Sequence, residues 1–599
     1  MELECGYCRG TAHRRDRTNV EASVNSLRNA VTGRGVNRRT FLRSAAVTGA
    51  GAAAFLAGCR STTPTKPAAG TTGGAATSNV FAVPEGKYGG TMTESFAYEP
   101  TGWDPHSSPG AGQGPIVEAF SIKLVRHDYR RTPPFKNGAE TLLIGEMAEK
   151  WESPDPLTYT FHLRQGLNWP DQDPMKGRPM TAHDVVYTFN HAKSPDAVVQ
   201  TYPFDPIKTV TAIDDKTVQF KLSTPNWLFP NNMNTYSSQI LPDKIYEWTG
   251  PGVWGSDKAR GGGPWILDQY QPGSFVSWKP NPAFKKVFGI PYADRYIEKI
   301  LVGSSALTLQ AFVSKQIDKV GATGGNLEAI KKGRPDAKLK LDTFAASNTN
   351  ALFLNQTEKP FDDVRVRRAI SMSVDRDGWG KTLQLPYKLE SGPITWGYED
   401  WKLDLPKMPA DVQAWAKYNP DEAAKLVQAA GISSSANYQI HMYPYNEAYT
   451  PEAQLLIGSL KKIGISSTLK VYDYNNWIAN VYYTTNPKAY SGMLYGPDNL
   501  DRIQQQLFDR FSKTSNRNHA FINDQQMEQW LIDFTSAKGP DDAKVVANKI
   551  QQRSVDQAYA TYRPQPTSPL AWDPSLQNYE GETPFSYQTS VRAAFLWLA

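Results

Sequence analysis

The sequence predicts a mixed α/β protein with more than one domain, and three observations support this prediction. Thr158–Leu163 is rich in β-branched and aromatic residues, and the later Thr181–Phe189 has the apolar spacing of a helix. Helical and strand-like segments alternate again further on, where a helical pattern over Thr450–Ile463 precedes the alternating residues Ile465–Asp473. The 541 residues from Cys59 onward exceed what one hydrophobic core usually holds, so we expect two or three domains.

Residues 1–58 have the charged, apolar and small-residue blocks of an export signal. Arg38 and Arg39 lie in the charged block and begin a segment, RRTFLR, that resembles the twin-arginine motif. The apolar run from Ser44 to Leu56 has about 13 residues, against the ~20 that a helix needs to span a bilayer. We therefore expect export that depends on Arg38 and Arg39, without a transmembrane helix in this segment.

The end of this signal, Leu56-Ala57-Gly58-Cys59, resembles a bacterial lipobox, in which the cysteine is lipidated and becomes the new N-terminus. We expect Cys59 to carry the lipid, and residues 59–84, dominated by Thr, Pro, Ala and Gly, to form a flexible tether. The folded part would then be anchored to the outer face of the cell membrane. The alternative is a buried helix of a dinucleotide-binding fold, since Gly49–Ala54 imitates its glycine-rich turn, but no strand-like segment precedes it.

Charge and cysteine content exclude several classes of function. Residues 1–58 carry nine Arg and four acidic residues, and the remaining chain has 56 basic and 55 acidic residues. Nucleic-acid binding therefore lacks an electrostatic basis. The three cysteines are Cys5, Cys8 and Cys59, which excludes disulfides and thiolate chemistry in the body, and Cys5 and Cys8 have no second pair to complete a zinc site. We expect no metal and no cofactor.

The most informative part of the body is residues 146–190, which read as strand, hairpin, loop and helix. Met147–Trp151 leads into a strand, Thr160–Trp169 forms the hairpin, and Pro170–Asp173 begins a polar loop. Thr181–Phe189 opens like a capping box, with Thr at the helix start and Asp three residues later.

These motifs resemble those of the large solute-binding proteins of bacterial ABC importers, the peptide/nickel/oligosaccharide-binding family. The resemblance continues in order through Gly261–Leu267, Lys279–Pro282 and Asn355–Ile370, and it covers nearly all of residues 85–599. The loop Pro170–Asp173 departs from the family, which has Asp-Gly after the hairpin. Each motif alone is weak, whereas six or seven in the family's order are a specific signal.

The resemblance implies an α/β, two-lobed periplasmic-binding-protein-like fold with an extra subdomain on the first lobe, hinged by crossing strands. Mapped onto this sequence, it gives one discontinuous lobe, one inserted subdomain and one continuous lobe. These are residues 85–125 with 226–350 and 562–599 for lobe I, 126–225 for the subdomain, and 351–561 for lobe II.

The implied function is that of a lipid-anchored, monomeric substrate-binding component of an ABC importer. Such a protein holds a solute in the cleft between its lobes and delivers it to a membrane permease without changing it chemically. Ligand that contacts both lobes favours the closed form, because only that form offers all the contacts. An oligopeptide is our first choice of solute, and an oligosaccharide is the second.

Asp498 is the residue we expect to contact the ligand, with Tyr495 beside it. The resemblance implies an Asp in this part of the second lobe, where the family's peptide binders pair with the ligand's α-amine. Here the family's Trp is missing from residues 492–501 and the spacing is altered, so a solvated loop Asp is the alternative.

Three tryptophans are further candidates for the cleft lining. Trp396 and Trp401 lie in an irregular stretch with Gly and Pro, and loop aromatics held by a rigid scaffold often bind ligands. Trp477 follows the strand predicted over Ile465–Asp473. For each of the three, packing in a hydrophobic core is the alternative.

Two other classes of function stay open. A secreted glycoside hydrolase needs only a pair of carboxylates, which has no sequence signature. A surface sensor lipoprotein would keep the same lobes without a permease partner. The sequence has neither a GxSxG nor an HExxH motif, so serine-hydrolase and zinc-protease chemistry lacks its starting residues.

Overall fold

A computed structural model describes most of the chain after the predicted tether. The ranges described are 85–100, 102–106, 113–127, 143–194, 204–250, 254–301, 305–322, 325–342, 349–383, 385–389, 392–433, 435–445, 448–498, 502–581 and 589–599. The predicted export signal with Arg38 and Arg39, the lipidation site Cys59 and nearly all of the tether lie outside these ranges. In the part of the chain that is described, no helix has the length and apolar composition that crossing a membrane requires.

The first lobe is organised around a four-stranded sheet. In spatial order it contains β1 (Thr91–Phe96), β10 (Arg295–Ile300), β9 (Phe275–Pro280) and β8 (Trp265–Gln271). The alternating sequence of β1 and β10 buries every second residue, which fixes their parallel register. Trp278 on β9 is fully buried, and its indole Nε1 donates a hydrogen bond of 2.8 Å to Glu298 on β10.

An antiparallel sheet with one helix forms a separate layer within residues 148–222. Its strands, in spatial order, are β4 (Ala148–Asp155), β5 (Thr158–Leu163), β7 (Thr217–Leu222) and β6 (Ile207–Asp214). The helix Ala182–Ala192 packs on this sheet through the buried side chains of Val185 and Phe189. The strand and the helix predicted from sequence in this passage are both confirmed.

Asp184 holds the start of that helix in place. It completes a capping box with Thr181, and its carboxylate accepts hydrogen bonds from the Thr181 N–H at 2.8 Å and the Asp243 N–H at 2.7 Å. It also accepts from Arg178 Nη2 at 2.6 Å and from Trp169 Nε1 at 3.2 Å. A fully buried carboxylate is stable here because four groups from separate segments donate to it.

Short strands complete the first lobe. Antiparallel pairs are formed by β2 (Val125–His127) with β3 (Leu143–Gly145) and by β21 (Leu576–Gln577) with β22 (Trp597–Leu598). In a three-stranded sheet, β20 (Leu570–Trp572) lies between β11 (Lys319–Gly321) and β12 (Lys338–Lys340). The C-terminal part of the chain therefore returns to the first lobe.

The second lobe contains a five-stranded sheet. Its spatial order is β16 (Ser466–Val471), β15 (Asn437–Met442), β17 (Met493–Asp498), β13 (Thr349–Leu354) and β18 (Ala560–Tyr562). Strands β16, β15 and β17 are parallel, and β13 runs antiparallel to both β17 and β18. A further pair, β14 (Tyr387–Lys388) with β19 (Gln565–Pro566), lies beside the returning chain.

Helices cover these sheets and begin where capping residues predict. Asn419 accepts a hydrogen bond from the Glu422 N–H at the start of the helix Pro420–Ala429. The predicted Thr450–Ile463 helix is observed as Tyr449–Lys462, and Gly464 follows it with a positive φ of 83°. The remaining α-helices are Gly114–Phe120, Phe229–Asn232, Ile245–Thr249, Pro282–Phe288, Ser305–Val313, Asn326–Gly333, Val364–Ser373, Arg376–Thr382, Ala410–Ala416, Tyr474–Asn476, Ile503–Phe511, Gln525–Thr535, Pro540–Asp556 and Thr589–Ala593.

The buried apolar residues fall into separate cores for the two lobes. One large cluster combines the sheet of β1 with the sheet of β4, and two others cover the two faces of the sheet of β13. The chain crosses between the lobes twice, from β12 to β13 and from β19 to β20. The predicted pair of α/β lobes joined by crossing segments is therefore present.

Replacing Asp184 by Asn should lower the free energy of unfolding of the first lobe by about 3 kcal/mol, because the amide leaves Arg178 without its ionic partner and presents a donor to other donors. Urea denaturation followed by tryptophan fluorescence measures the loss. Asp171→Asn in the exposed neighbouring loop is the control and should change stability by less than about 0.5 kcal/mol. Equal stabilities of the two variants would contradict the assigned role.

Candidate ligand-binding site

The carboxyl ends of four strands of the second-lobe sheet meet at one edge. These strands are β15, β16, β17 and β18, and β13 starts at the same edge because Thr349 pairs with Asp498. Both crossing segments also join the sheet here, since β13 follows the first crossing and β18 precedes the second. We call this the carboxyl edge. In open α/β sheets, ligands bind outside the carboxyl ends of the strands.

A buried polar network built on Glu452 lies at the carboxyl edge. Glu452 is in the first turn of the helix Tyr449–Lys462 and is 3% exposed. Its carboxylate accepts hydrogen bonds from Arg563 Nη1 at 2.6 Å, from Asn350 Nδ2 at 3.2 Å and from the hydroxyl of Tyr495. Tyr449 extends the network, because its hydroxyl donates to Asn350 Oδ1 at 3.1 Å.

This network ties both crossing segments to the second lobe. Asn350 is in β13, and Arg563 directly follows β18. The two are also joined through the backbone, because the Arg563 N–H donates to the Asn350 carbonyl at 3.2 Å. Movement of one lobe relative to the other must therefore take place on the first-lobe side of these two residues.

Protonation states in the network are well defined. Burial, and then the Glu452 carboxylate, raise the pKa of the Tyr495 hydroxyl well above its usual value, so it stays a neutral donor. Burial acts to lower the pKa of Arg563, but the Glu452 carboxylate outweighs it and raises that pKa, so the guanidinium stays charged. The Glu452–Arg563 pair is thus a buried ion pair, with additional donors on its acidic member.

Tyrosines form a second group at the carboxyl edge. Tyr443 and Tyr445 follow β15, and Tyr474 follows β16. The Tyr443 and Tyr445 ring centroids are 4.8 Å apart at 86°, and those of Tyr443 and Tyr474 are 5.2 Å apart at 58°. Tyr445 and Tyr474 are 6.4 Å apart at 87°. We call these three rings the tyrosine corner.

The first lobe contributes Tyr98 to the same place. Tyr98 follows β1 and is 45% exposed. Burial of its hydroxyl and the neighbouring Tyr443 raise the pKa of Tyr98, and Tyr98 in turn acts on the pKa of Tyr474 and Tyr449. The Tyr98 hydroxyl, from the first lobe, is therefore near enough to the tyrosine corner to act on it electrostatically.

Three of the residues predicted to bind ligand lie at the carboxyl edge. Tyr495 is fully buried, with its hydroxyl on Glu452. Trp477 is also fully buried, and its Nε1 donates to the Tyr445 hydroxyl at 2.8 Å. Asp498 ends β17, and its side chain lies outside what the structure describes. In this conformation, Tyr495 and Trp477 are buried beneath the carboxyl edge and hold Glu452 and Tyr445 in place. Direct contact with ligand stays a prediction for all three.

The other two predicted residues lie near the first-lobe boundary. Trp396 is half-buried, and its backbone N–H donates to Gln565 Oε1 at 2.8 Å, beside the second crossing. Lys388 and Lys402 lie over its ring, at 4.2 and 5.0 Å from the centroid. Trp401 is 2% exposed and stacks on Trp227 at 6.0 Å between centroids. Direct ligand contact stays a prediction for Trp396 and Trp401.

Trp227 forms a second contact between the lobes. It follows β7 of the first lobe, and its backbone N–H donates to the Thr535 carbonyl at 3.2 Å. Its Nε1 donates to the Phe534 carbonyl at 2.8 Å. These carbonyls end the helix Gln525–Thr535 and have no partner within that helix. The next residue, Leu228, is buried in the second-lobe core.

Sequence reasoning did not identify the centre of the network. Glu452 lies within the predicted Thr450–Ile463 helix with no role assigned to it by the sequence, and Arg563 and Asn350 carry no motif. The sequence indicates these residues only by their position, because Asn350 and the tyrosines of the tyrosine corner adjoin apolar strand-like segments, at whose ends ligands often bind. Among the described residues, no group of three or more His, Cys, Asp or Glu side chains is placed to hold a metal ion.

Comparison with known proteins gives consistent similarities. A sequence model of "Bacterial extracellular solute-binding proteins, family 5 Middle" matches residues 143–512. The dipeptide-binding protein of Escherichia coli (strain K12) is 28% identical over 417 residues, 65% of this chain and 74% of that protein. Di/tripeptide-binding protein 1 of Pseudomonas aeruginosa (strain UCBPP-PA14) is 26% identical over 413 residues, 62% of this chain and 74% of that protein.

Solved structures share the architecture. The oligopeptide-binding protein AppA from Bacillus subtilis, solved in complex with a nonapeptide, superposes with a TM-score of 0.70 at 18% sequence identity. The match covers 86% of this chain and 100% of that one. This similarity confirms the predicted α/β, two-lobed periplasmic-binding-protein-like fold.

Replacing Glu452 by Gln should lower the free energy of unfolding by about 3 kcal/mol, because it leaves the buried Arg563 guanidinium without its ionic partner. Urea denaturation is the measurement. Glu422→Gln, which breaks the exposed pair with Lys425, is the matched control and should cost less than about 1 kcal/mol. Adding Arg563→Met to Glu452→Gln should recover part of the loss; a double variant less stable than the single one would contradict this explanation.

Replacing Trp227 by Ala should shift the lobes toward a more open arrangement. The lost indole hydrogen bond and the lost stacking on Trp401 together amount to about 2 kcal/mol, or a roughly thirtyfold change in the closed-to-open ratio. Small-angle X-ray scattering should show a larger radius of gyration. Trp248→Ala, on a half-buried indole covered by Lys258 and Arg260, is the control. An unchanged radius for Trp227→Ala would rule out this contact as a determinant of closure.

Proposed function

This chain belongs to the bacterial extracellular solute-binding proteins of family 5, and on that premise we propose that it captures oligopeptides between its lobes for an ABC importer. In this proposal the protein binds its solute, releases it unchanged to a membrane permease and carries out no reaction of its own. The observation that carries the proposal is the carboxyl edge, where a satisfied polar network and a group of tyrosines face Tyr98 of the other lobe.

The chemistry of this edge suits a peptide. A peptide presents backbone donors and acceptors at regular spacing together with side chains of varied kind. Aromatic walls with a small number of placed polar groups bind such ligands, since the rings bury apolar surface and the polar groups fix orientation. The names of the dipeptide-binding and di/tripeptide-binding relatives support a peptide as the solute.

Closure follows from a difference in contacts between two states. A ligand seated at the carboxyl edge touches the second lobe in either state, but it touches Tyr98 only when the lobes are together. The ligand therefore binds the closed state more tightly and shifts the population toward it. The contact at Trp227 also stabilises the closed state, with or without ligand. The ligand therefore adds to a stabilisation of the closed state that the protein already has.

Individual residues have separate roles in the proposal. Asp498 is proposed to pair with the ligand's α-amine, and Tyr495 and Trp477 to hold the binding surface from behind. Trp396 and Trp401 are proposed as further aromatic contacts. We propose the domain boundaries that follow from the family resemblance, namely 85–125, 226–350 and 562–599 for lobe I, 126–225 for the subdomain and 351–561 for lobe II.

The proposal extends to export and anchoring. Arg38 and Arg39 would direct export, lipid on Cys59 would hold the protein at the outer face of the membrane, and residues 59–84 would span the distance to the folded part. Confinement near the permease raises the effective concentration of loaded protein, which aids delivery by a monomer. Oligosaccharide binding is the alternative cargo, and a secreted glycoside hydrolase or a surface sensor is the alternative class.

A peptide library of two to eight residues should raise the melting temperature of the full-length protein, because ligand binds only the folded state. Mass spectrometry of the bound fraction should return intact peptides. Asp498→Asn should weaken peptide binding by about tenfold through loss of the charged pair, while Asp421→Asn on an exposed helix start is the control. Shifts with oligosaccharides alone would reject the peptide assignment, and product formation from any substrate would reject the whole proposal.

A further inference from the structure

We propose that the tyrosine corner is a subsite for a compact organic cation, such as an ammonium group carried by the ligand. This inference rests on the proposed function only for the position of the subsite in the cleft. The chemistry it assigns comes from the arrangement of the rings themselves.

The geometry of Tyr443, Tyr445 and Tyr474 is that of a corner rather than a stack. The three ring planes lie 58° to 87° from one another, so each ring presents a face in a different direction. The ring surfaces are partly open, since Tyr474 is 40% exposed and Tyr443 and Tyr445 are half-buried. Tyr98 adds a further exposed ring from the opposite lobe.

The walls of the corner are held in place from behind. Tyr445 accepts the Trp477 indole hydrogen bond at 2.8 Å, and its ring packs on Tyr449 at 5.5 Å. Tyr474 begins a short helix whose Asp473 cap accepts from the Asn476 N–H at 3.0 Å. Rings fixed in this way lose little side-chain entropy when a ligand binds, which favours affinity.

The electrostatics of the corner favour a cation. Burial, followed by the neighbouring tyrosine hydroxyls, raises the pKa of Tyr474 to about 12 and also raises that of Tyr445. The hydroxyls are therefore neutral, and the negative faces of the rings supply the attraction. Arg563 is already paired with Glu452, and Arg517 already lies over Tyr483, so neither strongly opposes a positive ligand.

Other tyrosines of the second lobe already receive cations from this chain. Lys470 lies 5.4 Å from the Tyr472 ring, Arg517 lies 5.1 Å from Tyr483, and Lys462 lies 5.9 Å from Tyr418. Among the described residues, no Lys or Arg lies over a ring of the tyrosine corner or over Tyr98. In the part of the chain that the structure describes, the corner is thus an aromatic surface with no cation of the chain over its rings.

The shape of the corner selects among cations and against flat groups. A planar aromatic side chain makes full contact with one ring face and cannot lie against three faces that are nearly perpendicular. A roughly spherical ammonium, above all a methylated one, has no preferred plane and suits ring faces that point in different directions. An anion would meet the negative faces of several rings and is disfavoured. We therefore commit to ammonium groups as the chemical class.

The first experiment tests the subsite without a peptide. Choline and 3,3-dimethylbutan-1-ol have the same shape, but only choline is charged, and both are titrated into the full-length protein by NMR. We expect choline to bind about tenfold more tightly, and this preference should fall below about twofold in Tyr474→Ala and Tyr443→Ala. Tyr474→Phe should retain it, because the ring face rather than the hydroxyl carries the attraction.

The control variant is Tyr418→Ala, which removes a tyrosine of similar exposure, 42%, from the same lobe and should leave the choline preference unchanged. The second experiment compares tripeptides that carry trimethyllysine or its neutral tert-butyl analogue. The charged peptide should bind about tenfold more tightly to the wild type and to Tyr418→Ala. Circular dichroism of each variant establishes that it is folded, and Tyr474, at the exposed end of the corner, is the position least coupled to folding.

The outcomes separate this inference from the proposed function. Equal affinities for choline and its neutral analogue overturn the subsite, whether or not peptides bind. A preference for choline that survives Tyr474→Ala and Tyr443→Ala also overturns it, because the cation then binds elsewhere. A preference for choline that depends on these rings, with no binding of any peptide, supports the subsite and rejects the peptide function.

Discussion

The hydrogen bonds and the ion pair of the Glu452 carboxylate hold the candidate ligand site, the carboxyl edge, in its arrangement. A buried carboxylate is costly unless it is paired and hydrogen-bonded, and here Arg563, Asn350 and Tyr495 supply the compensation. These three partners come from β17 and from both crossing segments, so one charged group fixes three separate parts of the chain. The carboxyl edge keeps its shape because this polar network has one satisfied arrangement, whereas an apolar contact could be repacked.

The anchoring of the crossing segments at the second lobe determines where the molecule can bend. Segments fixed at Asn350 and Arg563 transfer any rotation to the short stretches leading to β12 and β20. A ligand at the carboxyl edge lies beside the axis of such a rotation, and in the proposed mechanism it gains its contact with Tyr98 only when the lobes close. Contacts far from the axis change most, and the docking of Trp227 on the end of the Gln525–Thr535 helix is of that kind. The two interlobe regions therefore serve different purposes. The carboxyl edge positions the ligand, and the Trp227 contact sets the ratio of closed to open molecules.

Local features of this fold could be predicted from sequence, whereas the centre of the site could not. The strand Thr158–Leu163 and the helix starts at Thr181 and Asn419 depend on periodicity and caps within a few residues. The Glu452–Arg563 pair joins residues 111 positions apart, and only the folded topology brings them together. The same reason explains why the stacking of Trp401 on Trp227 could not be predicted from sequence. Tyr495 and Trp477 lie at the carboxyl edge, and their direct contact with ligand stays a prediction.

The two parts of the carboxyl edge combine constraints that a single kind of surface could not meet. A protein that binds peptides of different sequence has to hold the ligand firmly without recognising each side chain. A hydrogen-bond network with one satisfied geometry does not adapt to ligands of different shape. Ring faces tolerate variety, because their attraction depends on contact and charge more than on exact donor positions. The buried Glu452–Arg563 pair keeps the shape of the carboxyl edge fixed. The partly exposed rings of the tyrosine corner offer a surface that accepts ligands with different side chains. The indole of the buried Trp477 donates to the Tyr445 hydroxyl and so transfers the rigidity of the core to the tyrosine corner.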